Sequence, residues 1–256
     1  MSSLPLGTRR GSRSLQPRAF SAQLRVELLL LLRQPENLLV ILVLPVLLLV
    51  FFAGIKVLPS QNGPPIYFLV PGILTLALMS TGMVTLGIST AYQRYYRVLK
   101  RLGGTPLRRS TLVLAKAASV LLVELGQVAL VLLIAHFGFR WEGKGAWWLL
   151  GILLLLGSFT FAAIGLTMAG GLRAELTLGG ANGLYILFLV VGGIALPIGQ
   201  LPTFIQPIAR VLPAATFSSS MRAVMEGHGL PLLPFALCLA WAAVSGLAAV
   251  TLFRWE

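Results

Sequence analysis

Chemistry-bearing residues are scarce in this chain. Cys238 is its one cysteine and lies in an apolar run, so no intramolecular disulfide and no thiolate metal cluster can form, and the residue reads as a small packing hydrophobe. The two histidines, His136 and His228, fall at or beyond the ends of apolar segments. With the scattered acids they make no metal site, and no serine stands in a nucleophile setting for them to activate. Gly157-Ser158 lacks the flanking glycine of a nucleophile elbow and reads as a packing serine. There is no Gly-x-x-x-x-Gly-Lys-Ser/Thr loop: Lys144 follows Gly143, but neither Ser nor Thr follows the lysine, so nucleotide phosphates have no such cradle. Charged residues make up only 11% of the 256 and hydrophobic ones 57%, with a mean hydropathy of +0.90. That excludes a soluble globular domain and makes lipid the solvent of the fold.

Apolar runs dominate instead. A bilayer core of about 30 Å needs roughly 20 apolar residues at about 1.5 Å rise each, so the length allows about six spans. Six segments have readable ends, at about 38–58, 66–92, 110–136, 147–169, 178–198 and 231–253, and the fold class is all-α integral membrane. Pro45 lies inside the first, which membrane helices tolerate when a neighbour satisfies the freed carbonyl. The turn-forming stretch Pro59 to Pro65 cannot continue a helix. Residues 1–17 read as a disordered basic tail, and no small-residue cleavage pattern marks a signal peptide. Residues 18–256 then form one transmembrane domain. Residues 18–34 read as a helix lying in the interface, with Phe20, Leu24, Leu28 and Leu31 on its apolar face and Pro35 ending it.

The net charge of +13 does not point to nucleic acid, because the cations sit between spans rather than on one face. Anionic lipid and membrane orientation explain them. With the N-terminus inside, fifteen of the twenty Lys and Arg residues fall on the cytoplasmic side, leaving Lys56, Arg140, Lys144, Arg210 and Arg222 outside. Both termini are then cytoplasmic. The connection 93–109 is cytoplasmic and basic, whereas 199–231 faces outward with Pro202, Pro207, Pro213 and Pro231 and predicts one or two short helices at or dipping into the outer leaflet. Trp141, Trp147 and Trp148 mark an outer boundary as an aromatic belt does.

In the basic connection, Val98, Leu99 and Leu102 share one helical face while Arg94, Arg97 and Arg101 occupy another, and Gly103-Gly104 ends the pattern. From periodicity alone, docking on a soluble partner and resting on anionic headgroups are equally consistent. Glu124 is the one acid deep in a span, with Gln127 one turn on; either a substrate or counter-ion contact or a packing element between helices follows from such a residue. Gly179, Asn182 and Gly183 suit a dimer interface, a cavity wall or generic packing.

The run Val98-Leu99-Lys100-Arg101-Leu102-Gly103-Gly104-Thr105-Pro106-Leu107, preceded by Leu69-Val70-Pro71-Gly72-Ile73, closely resembles permease subunits of the ABC-2 type, the group including bacterial drug, antibiotic and polysaccharide exporters. Leu38 to Phe52 around Pro45 resembles that family's first span. The Leu-Pro pairs at 196, 201 and 212 before Met221-Arg222 resemble its outer re-entrant region. Family members often carry an acidic residue where Gln93 stands and a glycine where Arg97 stands. The resemblance implies an interfacial connecting helix, six spans, a cytoplasmic coupling helix and an outer re-entrant region. It also implies a dimer with an identical or homologous permease in the inner membrane, and a separate ATPase that binds the ATP and Mg, none of which this chain holds. The coupling role falls on Arg94, Tyr95, Arg97, Val98, Leu99, Lys100, Arg101, Leu102, Thr105 and Pro106. The implied function is export of a hydrophobic or amphipathic compound, with drug efflux and antibiotic resistance among the expectations. The rival readings are a membrane-embedded enzyme acting on lipid or peptide, and an ion-driven carrier or channel.

Overall fold

Proline and glycine set where the apolar runs start and stop as helices. A computed structural model describes residues 15–33, 35–55, 64–103 and 109–252, and every regular element among them is helical. The elements used below are α1 (Leu15–Leu32), α2 (Pro35–Ile55), α3 (Pro65–Tyr95), α4 (Val98–Gly103), α5 (Arg109–Phe139), α6 (Trp147–Gly171), α7 (Ala174–Val191), α8 (Gln206–Val211), α9 (Pro213–Met225) and α10 (Leu232–Leu252). Helices α3, α6, α7 and α10, together with Thr111–Phe139 of α5, are long and apolar enough to cross a membrane. Helix α2 adds 21 apolar-rich residues with Pro45 inside it.

Helix α3 is the centre of the bundle. Pro65 opens it, where a missing N–H costs nothing, and its side chains from Leu69 to Met79 are buried on every face. Its middle, Met79–Thr85, is π-helical, the looser winding that often accompanies functional positions. At 31 residues it is about 46 Å long, well beyond the roughly 30 Å of a hydrocarbon core. Close packing on α6 depends on glycine. A Cβ on Gly165 would lie 2.7 Å from the Gly82 and Met83 carbonyl oxygens, and one on Gly87 would lie 3.0 Å from Gly165.

Short connections make successive long helices antiparallel. One end of the bundle gathers Arg18, Arg25, Arg33, Arg94, Arg97, Lys100, Arg101, Lys116 and Arg173; the other carries Arg140, Lys144, Arg210 and Arg222. At that second end α9, only 13 residues long, is buried against α3, α6 and α10, with Phe217 meeting Phe161 at 5.6 Å between ring centroids.

Several boundaries differ from those read in the sequence. The fifth long helix is Ala174–Val191 rather than 178–198, because it starts directly after the two-residue turn Leu172-Arg173 and stops at Gly192-Gly193, where Gly193 has φ +67°. Helix α1 begins at Leu15, inside the segment assigned to the basic tail. Arg9, Arg10 and Arg13 lie outside the described residues.

Candidate functional site

The basic connection is built on the projecting end of α3. After Tyr95 the chain turns through Tyr96 and Arg97, whose φ of +56° is left-handed, and α4 follows for six residues. That backbone is one that glycine adopts at no steric cost and arginine does not. Tyr95 and Tyr96 are 61% and 63% exposed and meet edge to face at 5.2 Å, while Tyr96 stacks on Tyr92 at 6.2 Å. Val98, Lys100 and Arg101 are also exposed. An aromatic pair thus stands beside three exposed cations, Arg97 included. The backbone of Leu99 and Leu102 lies in α4, their side chains outside the description; Thr105 and Pro106 lie outside the described residues.

Arg94 behaves differently from its neighbours. Its guanidinium turns inward and donates to the Gly170 and Leu172 carbonyls at the end of α6, a cation placed where a helix leaves its last carbonyls unpaired. Thr177 reinforces this corner, donating to the Arg173 carbonyl at 3.1 Å and the Met168 carbonyl at 3.3 Å. A cleft of about 490 Å³ between the two ends is lined by Arg94, Tyr95, Arg173 and Glu175.

Helix α1 is tied to α5 by a buried ion pair. The Lys116 ammonium lies 2.9 Å and 3.0 Å from the two Glu27 carboxylate oxygens, and the Gln23 amide donates to Glu27 at 2.9 Å. Deeper in α5, Gln127 is 1% exposed. Its amide nitrogen donates to the Ile41 carbonyl at 2.8 Å, and its oxygen accepts from the Thr81 hydroxyl in the π-helical segment at 2.8 Å. Glu124, also 1% exposed, has no hydrogen-bond partner for either oxygen among the described residues, although the Ser158 hydroxyl of α6 stands beside it. Asn182 and Gly183 are not part of this cluster. Asn182 is exposed and donates to the Leu178 carbonyl of its own helix at 2.9 Å, and neither Gly179 nor Gly183 has an atom within 4 Å of a built Cβ.

At the opposite end Arg222 of α9 lies 3.9 Å over the Phe68 ring and donates to the Gly193 and Phe68 carbonyls at 3.3 Å and 3.4 Å. Burial pushes its guanidinium down to about 10, with Glu226 pulling the other way, so it stays charged at neutral pH. Together with Ser218, which donates to the Gly192 carbonyl at 3.3 Å, it satisfies irregular backbone that lipid would leave unpaired.

Sequence reasoning missed the Glu27–Lys116 pair, the inward turn of Arg94 and the glycine seam. For the first there was a signal, an acid inside an apolar run of α1. The other two depend on which helices become neighbours.

A helical bundle whose described residues include five helices long and apolar enough to cross a membrane, with a basic element at one end and a buried short-helix region at the other, is the architecture of a polytopic membrane protein. The ABC-2 type transporter family model matches residues 18–225, and the chain belongs to that family. It is 25% identical over 196 residues to a Bacillus subtilis (strain 168) protein named "Putative transport permease YvfS", covering 73% of this chain and 77% of that one. It is 27% identical over 195 residues to ABC transporter G family member 20 of Dictyostelium discoideum, covering 72% of this chain but 27% of that longer protein. The chain is therefore a multi-pass membrane component of an ABC transporter. Permeases of this family are transport subunits rather than catalysts, and they normally work with an ABC ATPase.

Proposed function

We propose that this chain is the permease of an ATP-driven exporter whose motor is a separate ATP-binding-cassette subunit, and that it moves a hydrophobic or amphipathic compound outward across the inner membrane. In this reading α2 is the sixth span, the basic end and both termini are cytoplasmic, and two permeases, identical or homologous, pair in the complex. The observation that carries it is the exposed cluster of Tyr95, Tyr96, Arg97, Val98, Lys100 and Arg101 at the end of α3 and on α4.

The contacts suggest how a push there is transmitted. Helix α4 continues from α3, and Arg94 clamps the end of α3 to the α6–α7 corner. A push on α1 reaches α5 through Glu27 and Lys116, and Gln127 links α5 to α2 and to the π-helical part of α3. ATP-driven closure of the motor would then tilt several helices together and change access to a cavity between permeases.

Co-purification tests this. Reversing charge at Arg97 and Arg101 is expected to abolish capture of the ATPase subunit while leaving the thermal transition of the permease unchanged. Undiminished capture and ATP-driven transport in that variant would remove the docking role.

A further inference from the structure

Helices α6 and α10 pack closely along one another, with the Phe159 ring 3.0 Å from where a Cβ on Gly246 would lie, while α5 stands apart from α10 at the basic end. They leave a groove of about 710 Å³, with Phe20 of α1 at its side. Its walls are apolar apart from Ser158. Much of the lining is small: Ala117 and Ala118 on α5, Ala162 and Ala163 on α6, Gly246 and Ala249 on α10. Small residues on membrane helices ordinarily let helices close on one another, as Gly246 does against Phe159; the alanines facing α5 widen a hollow. An apolar hollow of this size in a bilayer forfeits dispersion contacts unless something fills it.

Two observations select the occupant. The first is depth. On α6 the groove runs from Leu166 to Leu155, about 16 Å at 1.5 Å per residue, which is close to half of a hydrocarbon core of about 30 Å. It runs from near the basic end to the middle of α6 along the outer surface of the bundle, the reach of one acyl chain within one leaflet. The second is charge. Among the described residues of α1 and the turn that follows it, Arg18, Arg25 and Arg33 are exposed, while the one acid, Glu27, is buried and paired to Lys116. The helix beside the groove thus presents only positive charge to the membrane surface.

We propose that this groove is a phospholipid site: one acyl chain of an anionic phospholipid fills it, and the headgroup lies against the arginines of α1. The lipid serves as a wedge between α5 with its attached α1 and the packed α6–α10 pair. Zwitterionic lipid fills the same hollow more weakly, because it lacks the net charge that those arginines attract.

The test uses the full chain in nanodiscs of phosphatidylcholine containing a minor share of palmitoyl-oleoyl phosphatidylglycerol, followed by release into the gas phase for native mass spectrometry. The wild type is expected to keep one phosphatidylglycerol per chain in preference to phosphatidylcholine. Ala118→Phe and Ala249→Phe, which fill the groove from two sides, each cut that retention by about tenfold, equivalent to about 1.4 kcal/mol. Ala243→Phe, on an exposed position of α10, leaves it unchanged. Gln substitutions at Arg18 and Arg25 keep a lipid but remove the preference for phosphatidylglycerol. Should Ala118→Phe fail to give a thermal transition, Ala117→Leu makes the same measurement with a smaller intrusion. Retention equal in the groove-filled and wild-type chains overturns the proposal. So does a lipid-free dimer cross-linked through Ala118→Cys, which assigns the groove to a second copy.

Discussion

The Gln127 amide donates its 2.8 Å hydrogen bond to the Ile41 carbonyl, the carbonyl that Pro45, four residues on, leaves without a helical N–H. One side chain thereby repairs a defect in α2 and, through Thr81, holds the π-helical segment of α3. Gln127→Leu is expected to lower stability by about 1–3 kcal/mol, because a buried carbonyl and a buried hydroxyl lose their partner. In a Pro45→Ala background the restored N–H at position 45 takes the Ile41 carbonyl, and the cost of Gln127→Leu should fall by about 1 kcal/mol. Thermal unfolding of the four proteins in one detergent measures the coupling; equal costs in both backgrounds would contradict it.

Glu27 and Lys116 give an asymmetric expectation. Removing one partner leaves a buried charge alone, so Glu27→Leu or Lys116→Leu should each cost about 3 kcal/mol and expose α1 to protease. The double replacement by leucine should recover most of that loss. If the pair also passes motion from α1 to α5, the double variant will fold and bind its ATPase yet transport slowly, a separation visible in reconstituted vesicles.

The left-handed backbone at Arg97 predicts that Arg97→Gly stabilises the chain by up to about 1 kcal/mol, and that Arg97→Val destabilises it. Arg97→Lys controls for charge and should be neutral toward stability. A glycine variant no more stable than the lysine one would show that the turn is not strained in the folded protein.

Glycines of equal appearance in the sequence should respond in opposite ways. Gly165→Leu drives a side chain into the Gly82 and Met83 backbone and is expected to cost about 3 kcal/mol or more. Gly183→Leu meets open space and should leave the unfolding midpoint of the isolated chain within about 0.5 kcal/mol of wild type.

The contrast between those glycines also shows what a single sequence can convey. Hydropathy located the long helices, since only lipid accommodates such runs, and Pro65 marked the start of α3; the end of α7 at Gly193 was not legible, because its left-handed φ lies inside an apolar run that continues to residue 198. The Gly-x-x-x-Gly spacing at 179 and 183 drew notice, whereas the close contact formed at Gly82, Gly87 and Gly165, because spacing says nothing about which face meets a neighbour. For the same reason Arg94 was grouped with Arg97 and Arg101 on a helical face, although the end of α6 lies within reach of its guanidinium alone. The partner of Gln127 was half legible: Pro45 announced a free carbonyl on Ile41, and only the packing of α2 on α5 supplied the donor.

The central claim is that α4 delivers the force of a separate motor. A photoreactive amino acid at Lys100, illuminated in membranes holding the permease with its ATPase, tests it most directly. The account predicts a covalent adduct between the two polypeptides whose yield changes between nucleotide-free and ATP-bound states. An adduct with lipid alone while ATP-driven transport proceeds, or labelling of that position from outside sealed cells, would contradict it.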